Sequence, residues 1–286
     1  MRVSHKLAIP LSVVALVGIA GCTKPDSGGT SGSGSKQNLT IKGSDTMVQL
    51  SQGWAQDFMK THPDISVTVT GGGSGTGISA LKNKATDIAN SSRPMKDEEK
   101  TEVGDVKEFI VAQDALAIIV HPSNPVIELT MDQLKDIYTA RITNWNQLGA
   151  PDQKIVINSR ETSSGTYVFF QEHVLGKETP FASTALLQPS TSQIVENVAQ
   201  DRGGIGYVGL GYLNEKVKVV KVKKDATTPG VQAAAENVLN KTYPLARPLY
   251  NYTAGEPGPA AKTYLDWVMG PEGQAVVTKL DFVTIK

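Results

Sequence analysis

Short apolar strands alternate with amphipathic helices along most of this 286-residue chain, and small polar turns join them. The segment Ile65 to Thr70 is β-branched and alternating, which is typical of a strand, and His62-Pro63 ends the helix before it. Two apolar runs lie within Val106 to Val120, and the second, Ala115 to Val120, predicts a buried strand. Repeated strand–turn–helix units predict α/β layers with largely parallel sheets.

The N-terminus predicts export and anchoring. Arg2 and Lys6 precede an apolar stretch, Leu7 to Ala20. A basic start followed by a short apolar stretch is typical of a signal peptide, which we expect to cover residues 1–21. Small residues before Cys22 resemble the bacterial lipoprotein box, in which that cysteine is lipidated and becomes the new N-terminus. An ordinary signal peptide with an incidental cysteine is the alternative. Because the chain has one cysteine, an intramolecular disulfide is excluded.

Residues 22–38 are rich in Ser and Gly, which is typical of a flexible tether, and we expect the folded part to begin near Leu39. The predicted location is therefore the extracytoplasmic face of a bacterial cell membrane, with a lipid anchor at Cys22. Once Arg2 and Lys6 leave with the signal peptide, 26 basic and 28 acidic residues remain. The absence of a basic stripe in the sequence argues against nucleic-acid binding, so any anion site must depend on local donors.

Four segments share one design, in which a strand end leads through a small polar turn into a helix. They are Gly43–Thr46, Gly73–Gly77, Ser91–Pro94 and Arg160–Thr166. Glycine lets the backbone approach a ligand closely, and Ser and Thr supply hydroxyl donors that also cap helices. Arginine adds planar donors that match an oxyanion, and a helix start adds free N–H groups. Helix capping alone explains any one such turn, but the four together predict a site for a tetrahedral oxyanion.

The same segments resemble the phosphate-binding proteins of bacterial high-affinity phosphate ABC transporters. The resemblance is carried by Lys42–Met47, Thr70–Gly77, Asp87–Pro94, Arg160–Thr166 and Ile205–Leu210, and it extends from about residue 39 to the C-terminus. It implies an α/β fold of the type II periplasmic-binding-protein kind, in which two α/β lobes are joined by two hinge crossings and the ligand cleft lies between them.

On this resemblance, lobe one comprises residues 39–114 plus 248–286, and lobe two comprises residues 115–247. We expect the crossings at Asp114-Ala115 and within Ala246 to Leu249.

The resemblance also implies which residues bind phosphate. Thr46 matches a threonine that bonds phosphate through its hydroxyl and backbone, Ser74 matches a serine at a helix start, and Arg160 matches the guanidinium partner. The implied phosphate-binding set is Ser44, Asp45, Thr46, Ser74, Ser92, Arg93, Arg160, Ser164, Gly165 and Thr166.

The sequence departs from the family pattern at Ser92, where better-known members hold an Asp that accepts the proton of hydrogen phosphate and rejects sulfate. Ser92 can accept a hydrogen bond without a charge, and Asp45 is a candidate for the missing acceptor role. Arg93 is an added cation that balances Asp45 or contacts the anion. Sulfate or molybdate therefore stays open as the ligand, because one acceptor can decide between such anions.

The resemblance implies a monomeric binding protein that hands phosphate to the permease and ATPase subunits of an ABC transporter. We expect no cofactor, because hydrogen-bond donors alone complete the shell of the anion. We also expect no metal, since His62, His121 and His173 are scattered.

A phosphatase-type enzyme with Ser74 or Ser164 as nucleophile is a remote alternative, because none of the four turns contains a histidine to act as its base. The acidic run Asp97 to Lys100 is typical of a solvated helix face.

Overall fold

The structure, a computed structural model, describes residues 36–285. The predicted signal peptide, Cys22 and nearly all of the predicted tether lie outside the described residues. The first strand begins at Gln37, two residues before Leu39, where the sequence analysis placed the start of the folded part. Within residues 36–285, no helix has both the length and the apolar character needed to span a bilayer.

The described residues form ten strands and nine α-helices. The strands are β1 (Gln37–Gly43), β2 (Ile65–Thr70), β3 (Ile88–Ser91), β4 (Val106–Val120), β5 (Glu128–Thr130), β6 (Val156–Arg160), β7 (Leu186–Gln188), β8 (Gly204–Gly209), β9 (Lys218–Lys223) and β10 (Ala246–Ala254). The helices are α1 (Val48–Thr61), α2 (Ser74–Lys82), α3 (Asp97–Val103), α4 (Met131–Tyr138), α5 (Gly165–Phe170), α6 (Thr191–Gln200), α7 (Ala235–Leu239), α8 (Pro259–Met269) and α9 (Pro271–Lys279). A π-helical turn, Gln171–Leu175, directly follows α5.

The strands are ordered β2-β1-β3-β10-β4-β8-β6-β7, and β9 pairs with β4 and β5. At one end β1 runs parallel to β2 and β3, and at the other β6 runs parallel to β7 and β8. In the middle, β10 is antiparallel to β3 and β4, and β4 is antiparallel to β8 and β9. The prediction of largely parallel sheets is thus wrong for the central strands. β4 carries the chain from one half of the sheet to the other, and β10 brings it back beside β4 in the opposite direction. The two strands therefore run antiparallel.

The two apolar runs of Val106 to Val120 form one continuous strand, β4. Its first part pairs with β10, and Leu116 to Val120 pair with β8. The register of β10 against β4 shifts between Leu249 and Tyr250, as at a β-bulge.

Two large hydrophobic cores lie at the two ends of the antiparallel pair formed by β4 and β10. The first, here the Trp54 core, includes Phe58, Tyr264, Ala112 and Leu249. The second, the Trp145 core, includes Tyr138, Phe170, Ala115 and Leu245. The change from one core to the other therefore falls between Ala112 and Ala115 on β4, and between Leu245 and Leu249 on the approach to β10.

Candidate functional site

The four polar turns singled out in the sequence meet at one place. Ser44 follows β1 and Ser92 follows β3, two strands that contribute to the Trp54 core, and Ser74 begins α2, which packs against both strands. Ser164 follows β6 beside the Trp145 core. The carboxyl ends of the parallel strands β1 and β3 lie at one edge of the sheet, where α/β proteins bind ligands. We call the part of the structure around the Trp54 core the Trp54 side, and the part around the Trp145 core the Trp145 side. The turns thus bring together polar groups from these two sides.

Five buried hydroxyls form a connected group that we name the hydroxyl cluster: Ser44, Thr46, Ser74, Ser92 and Thr166. Ser44 Oγ donates to Ser92 Oγ at 2.9 Å, and Ser74 Oγ lies 3.5 Å from Ser92 Oγ. Across to the Trp145 side, Thr166 Oγ1 lies 2.8 Å from Thr46 Oγ1 and 3.4 Å from Ser92 Oγ. Each of the five residues is at most 2% exposed. Hydroxyls both donate and accept, so this cluster can turn its donors toward an anion.

Backbone contacts also join the two sides. The N–H of Gly75 donates to the carbonyl of Ser163 at 3.0 Å, and Ser163 Oγ donates to the carbonyl of Gly72 at 3.3 Å. A Cβ on Gly165 would lie 2.3 Å from Ser74 Oγ and 2.9 Å from Ser92 Oγ. This close approach requires glycine at position 165.

Ser164 has the capping role expected of a serine at a helix start. Its Oγ accepts hydrogen bonds from the N–H groups of Thr166 at 3.2 Å and Tyr167 at 3.4 Å. The cap fixes the start of α5 and thereby places Thr166 in the hydroxyl cluster.

Arg160 is 1% exposed and lies against the loop before α6. Its Nε donates to the carbonyl of Gln188 at 3.2 Å, and its Nη2 donates to the carbonyl of Pro189 at 3.0 Å. Its Nη1 donates to Thr191 Oγ1 at 2.8 Å and lies 3.4 Å from Asp45 Oδ1. The guanidinium is thus held rigidly, and Asp45 links it to the turn that carries Ser44 and Thr46.

Asp45 reaches from the Trp54 side to the Trp145 side. Its Oδ1 accepts from the N–H of Thr191 at 2.7 Å and from the hydroxyl of Thr191 at 2.8 Å. The Tyr212 hydroxyl donates to the main-chain carbonyl of Asp45 at 2.7 Å. The sequence analysis missed Thr191 and Tyr212, although Ser190-Thr191 is another small polar pair at a helix start.

Arg93 is the predicted site residue that the structure places differently. Its two terminal nitrogens donate to the two carboxylate oxygens of Glu99 at 2.7 and 2.6 Å, and Nη1 also donates to the carbonyl of Pro94. Among the described residues, the guanidinium pairs neither with Asp45 nor with the hydroxyl cluster. A nearby carboxylate of matching fork geometry holds it more strongly than neutral hydroxyls do, so the geometry does not support Arg93 as a phosphate ligand.

Another arginine, Arg247, was missed by the sequence analysis and contacts the main chain of Ser92. Arg247 Nη1 donates to the carbonyl of Ser92 at 3.2 Å, and its Nε and Nη2 donate to Asp114 Oδ2 at 3.2 and 2.9 Å. Burial raises the pKa of Asp114 above its ordinary value, although the charge of Arg247 and the N–H of Leu210 oppose that shift. The guanidinium carbon also lies 5.3 Å from the centre of the Phe169 ring.

The arrangement supplies hydrogen-bond donors rather than a reactive pair. Its hydroxyls contact one another, and its arginines are held by carbonyls and carboxylates. Among residues 36–285, no group of three His, Cys, Asp or Glu residues could hold a metal ion. Such a set of donors can surround and desolvate an oxyanion.

Comparison with known proteins gives one consistent result. Residues 28–272 match the family model described as the PBP superfamily domain. The chain is 33% identical over 274 residues to the phosphate-binding protein PstS of Pseudomonas aeruginosa, with 88% of this chain and 84% of the relative covered. It is 32% identical over 282 residues to PstS of Bacillus subtilis, with 98% and 92% covered.

The fold of the chain also matches solved structures of proteins described as phosphate transport proteins. A Clostridium perfringens protein assigned as a phosphate ABC transporter substrate-binding protein, with bound phosphate, matches at a TM-score of 0.82 and 35% identity over 87% of this chain and all of the other. An ABC-type phosphate transport receptor of Vibrio cholerae matches at a TM-score of 0.71 and 30% identity, covering 86% and 99%.

Proposed function

Because the chain belongs to the PstS family of phosphate-binding proteins, we propose that it binds inorganic phosphate outside the cytoplasm and delivers it to the permease and ATPase subunits of an ABC transporter. Its mixed α/β fold is that of periplasmic binding proteins. The family consists of substrate-binding transport proteins, so the chain is not an enzyme and the phosphatase alternative falls away.

The observation that carries the proposal is the hydroxyl cluster, which is buried and drawn from both sides of the molecule. We propose that phosphate takes up the donors that its hydroxyls now direct at one another. At the starts of α2 and α5, the backbone N–H groups that do not already donate to Ser163 or Ser164 add donors of the kind that anions prefer. A guanidinium has five N–H groups, so Arg160 keeps donors for phosphate beyond those used by Gln188, Pro189 and Thr191.

We propose that the two cores belong to two lobes with the boundaries expected from the sequence, residues 39–114 plus 248–286 and residues 115–247. The change of core on β4, between Ala112 and Ala115, supports this division. Only β4 and the approach to β10 then need to bend when the cleft opens, which is hinge motion of the kind common in binding proteins.

Isothermal titration with phosphate and with sulfate tests the function. We expect phosphate to bind, and we expect Thr166→Val, which keeps the shape but removes the hydroxyl, to weaken binding about 10- to 100-fold, as for a lost hydrogen bond to a charged group. Thr253→Val is the matched control, since Thr253 is also buried but bonds only locally, to the carbonyl of Gly255. No phosphate binding by the unchanged protein would refute the proposal.

The ligand alternatives, sulfate and molybdate, are separated by the same titration. The neutral Ser92 at the centre of the cluster is the feature that keeps them open, because a hydroxyl imposes no charge repulsion on a fully ionised anion. Equal affinity for sulfate and phosphate would favour a general oxyanion carrier.

We further propose that the protein is exported by its signal peptide, anchored through a lipid on Cys22 and active as a monomer. The lipoprotein-box resemblance of the N-terminus supports the anchor, and the presence of all the proposed ligands within one chain supports the monomer. Cys22→Ser should release the protein from membranes in fractionation, and light scattering should give the mass of one chain. Retention of Cys22→Ser in the membrane would contradict the anchor.

A further inference from the structure

We propose that Asp45 is a latch that holds the phosphate-bound cleft closed, rather than a residue that senses the ligand proton. This inference rests on the proposed function. It assigns Asp45 to the contact between the lobes and leaves recognition of the anion to the hydroxyl cluster.

The first ground is where the carboxylate of Asp45 goes. Asp45 lies in the turn after β1, on the Trp54 side, yet its Oδ1 accepts both the N–H and the hydroxyl of Thr191, at 2.7 and 2.8 Å. Thr191 begins the ten-residue helix α6 on the other side. The start of a helix stabilises a negative charge, and hydrogen bonds to an ionised acceptor are stronger than neutral ones.

The second ground is that the main chain of Asp45 is also bound by the Trp145 side. The Tyr212 hydroxyl, which is contributed by the Trp145 side, donates to its carbonyl at 2.7 Å. Arg160 Nη1 adds a positive charge 3.4 Å from Oδ1. Asp45, a residue of the Trp54 side, is thus held by Thr191, Tyr212 and Arg160, which all belong to the Trp145 side.

The third ground is that Oδ1 is already committed. It takes two hydrogen bonds and faces a guanidinium, so every group known to contact it belongs to the Trp145 side. When the cleft opens, Asp45 and the start of α6 must separate and be hydrated again. The latch therefore slows the release of phosphate without choosing the anion.

Stopped-flow release and isothermal titration test this on the whole protein, with inorganic phosphate as the probe. Asp45→Asn should speed phosphate release about tenfold and leave association almost unchanged, because effects on a formed interface fall mainly on dissociation. The pH profile of phosphate affinity should keep its shape. Ser190→Ala is the matched control: Ser190 caps the same helix through the N–H of Gln193, and its side chain does not bond Asp45.

A double-mutant cycle with Thr191→Val approaches the same contact from the other side. If Asp45 and Thr191 act as one latch, the double variant should release phosphate about as fast as the faster single variant. This arm keeps the test valid even if one of the single variants folds poorly.

Two outcomes would overturn the latch: an unchanged release rate in Asp45→Asn, or additive effects in the cycle. If the release rate is unchanged and the pH profile of phosphate affinity changes, Asp45 is restored as the acceptor of the ligand proton. Failure of the unchanged protein to bind phosphate is a separate result, which refutes the proposed function and not the contact.

Discussion

Two arginine–aspartate pairs flank the candidate site, and they differ in what surrounds them. Arg247 and Asp114 lie opposite each other on the neighbouring strands β10 and β4, with side chains 1% and 0% exposed. Arg160 and Asp45 belong to the two different sides of the structure, and the Asp45 side chain is 17% exposed. The first pair is enclosed by continuous sheet, whereas the second joins the two lobes that we propose.

The difference shows how the same two residue types serve separate purposes. If one partner of the enclosed pair is removed, the other is left as a buried charge with no access to water. If one partner of the spanning pair is removed, the proposed opening of the cleft would let water reach the other. We therefore expect the first pair to control stability and the second to control binding.

The largest expected effect is on the enclosed pair. Asp114→Ala leaves Arg247 buried and unpaired, and we expect it to lower the free energy of unfolding by about 3–5 kcal/mol in urea denaturation. The double variant Asp114→Leu/Arg247→Met, with both charges gone, should recover most of this loss. A loss below about 1 kcal/mol would show that Arg247 finds water or another partner.

The next effect concerns closure. Gly165→Ala places a methyl group against Ser74 Oγ and Ser92 Oγ, and we expect about 1–3 kcal/mol weaker phosphate binding in titration because the sides are pushed apart. Unfolding should change little. Gly258→Ala is the matched control, since a Cβ there meets nothing within 4 Å. Equal affinity in both variants would contradict the close approach of the two sides.

The spanning pair gives a smaller effect on stability. Without phosphate, Asp45→Asn should change the free energy of unfolding by less than about 1 kcal/mol, because the proposed opening of the cleft separates the pair and lets water reach both groups. The measurement is the same urea denaturation used for Asp114→Ala. Comparable losses in the two variants would remove the distinction between the pairs.

The smallest effect involves a third pair, Arg93 and Glu99. Partial burial alone would raise the pKa of Glu99, but hydrogen bonds from Arg93 and from the N–H of Lys96 lower it below its ordinary value. The unfolded chain therefore binds this proton more readily, so the stabilisation is present above pH 4.5 and is lost as the pH falls through the lowered pKa.

Glu99→Gln should therefore reduce stability at pH 7 by less than about 1 kcal/mol and have almost no effect at low pH. Thermal unfolding across pH measures this. Glu102→Gln, which removes a solvent-exposed ion pair with Lys82 from the same helix, is the control. An identical pH dependence in the unchanged and Glu99→Gln proteins would contradict the role of Glu99.

The sequence predicted what depends on neighbouring residues. Ser44, Ser74 and Ser164 stand at strand ends and helix starts, and the turn chemistry that places them there is local. The family resemblance then indicated the fold and Arg160. The α/β alternation was equally readable, because apolar periodicity marks each element separately.

Contacts between distant residues were not predicted. Asp45 and Thr191 are 146 residues apart, and Asp114 and Arg247 are 133 apart. No local pattern pairs such residues, since the pairing exists only once the strands are ordered. Glu99 shows a different limit, because it lies only six residues from Arg93. Its place in an acidic run favoured a solvated face, whereas the structure pairs it with the nearly buried Arg93.

The central position of β10 also bears on when the protein can fold. This late strand lies between β3 and β4, and helices α8 and α9, later still, supply Tyr264 and Val277 to the Trp54 core. During synthesis, or passage through a membrane from the N-terminus, that core must wait until nearly the whole chain has emerged. Pairings so distant in sequence form slowly. Such a delay would keep the chain unfolded during the export that we propose, so that it folds only after it has crossed the membrane.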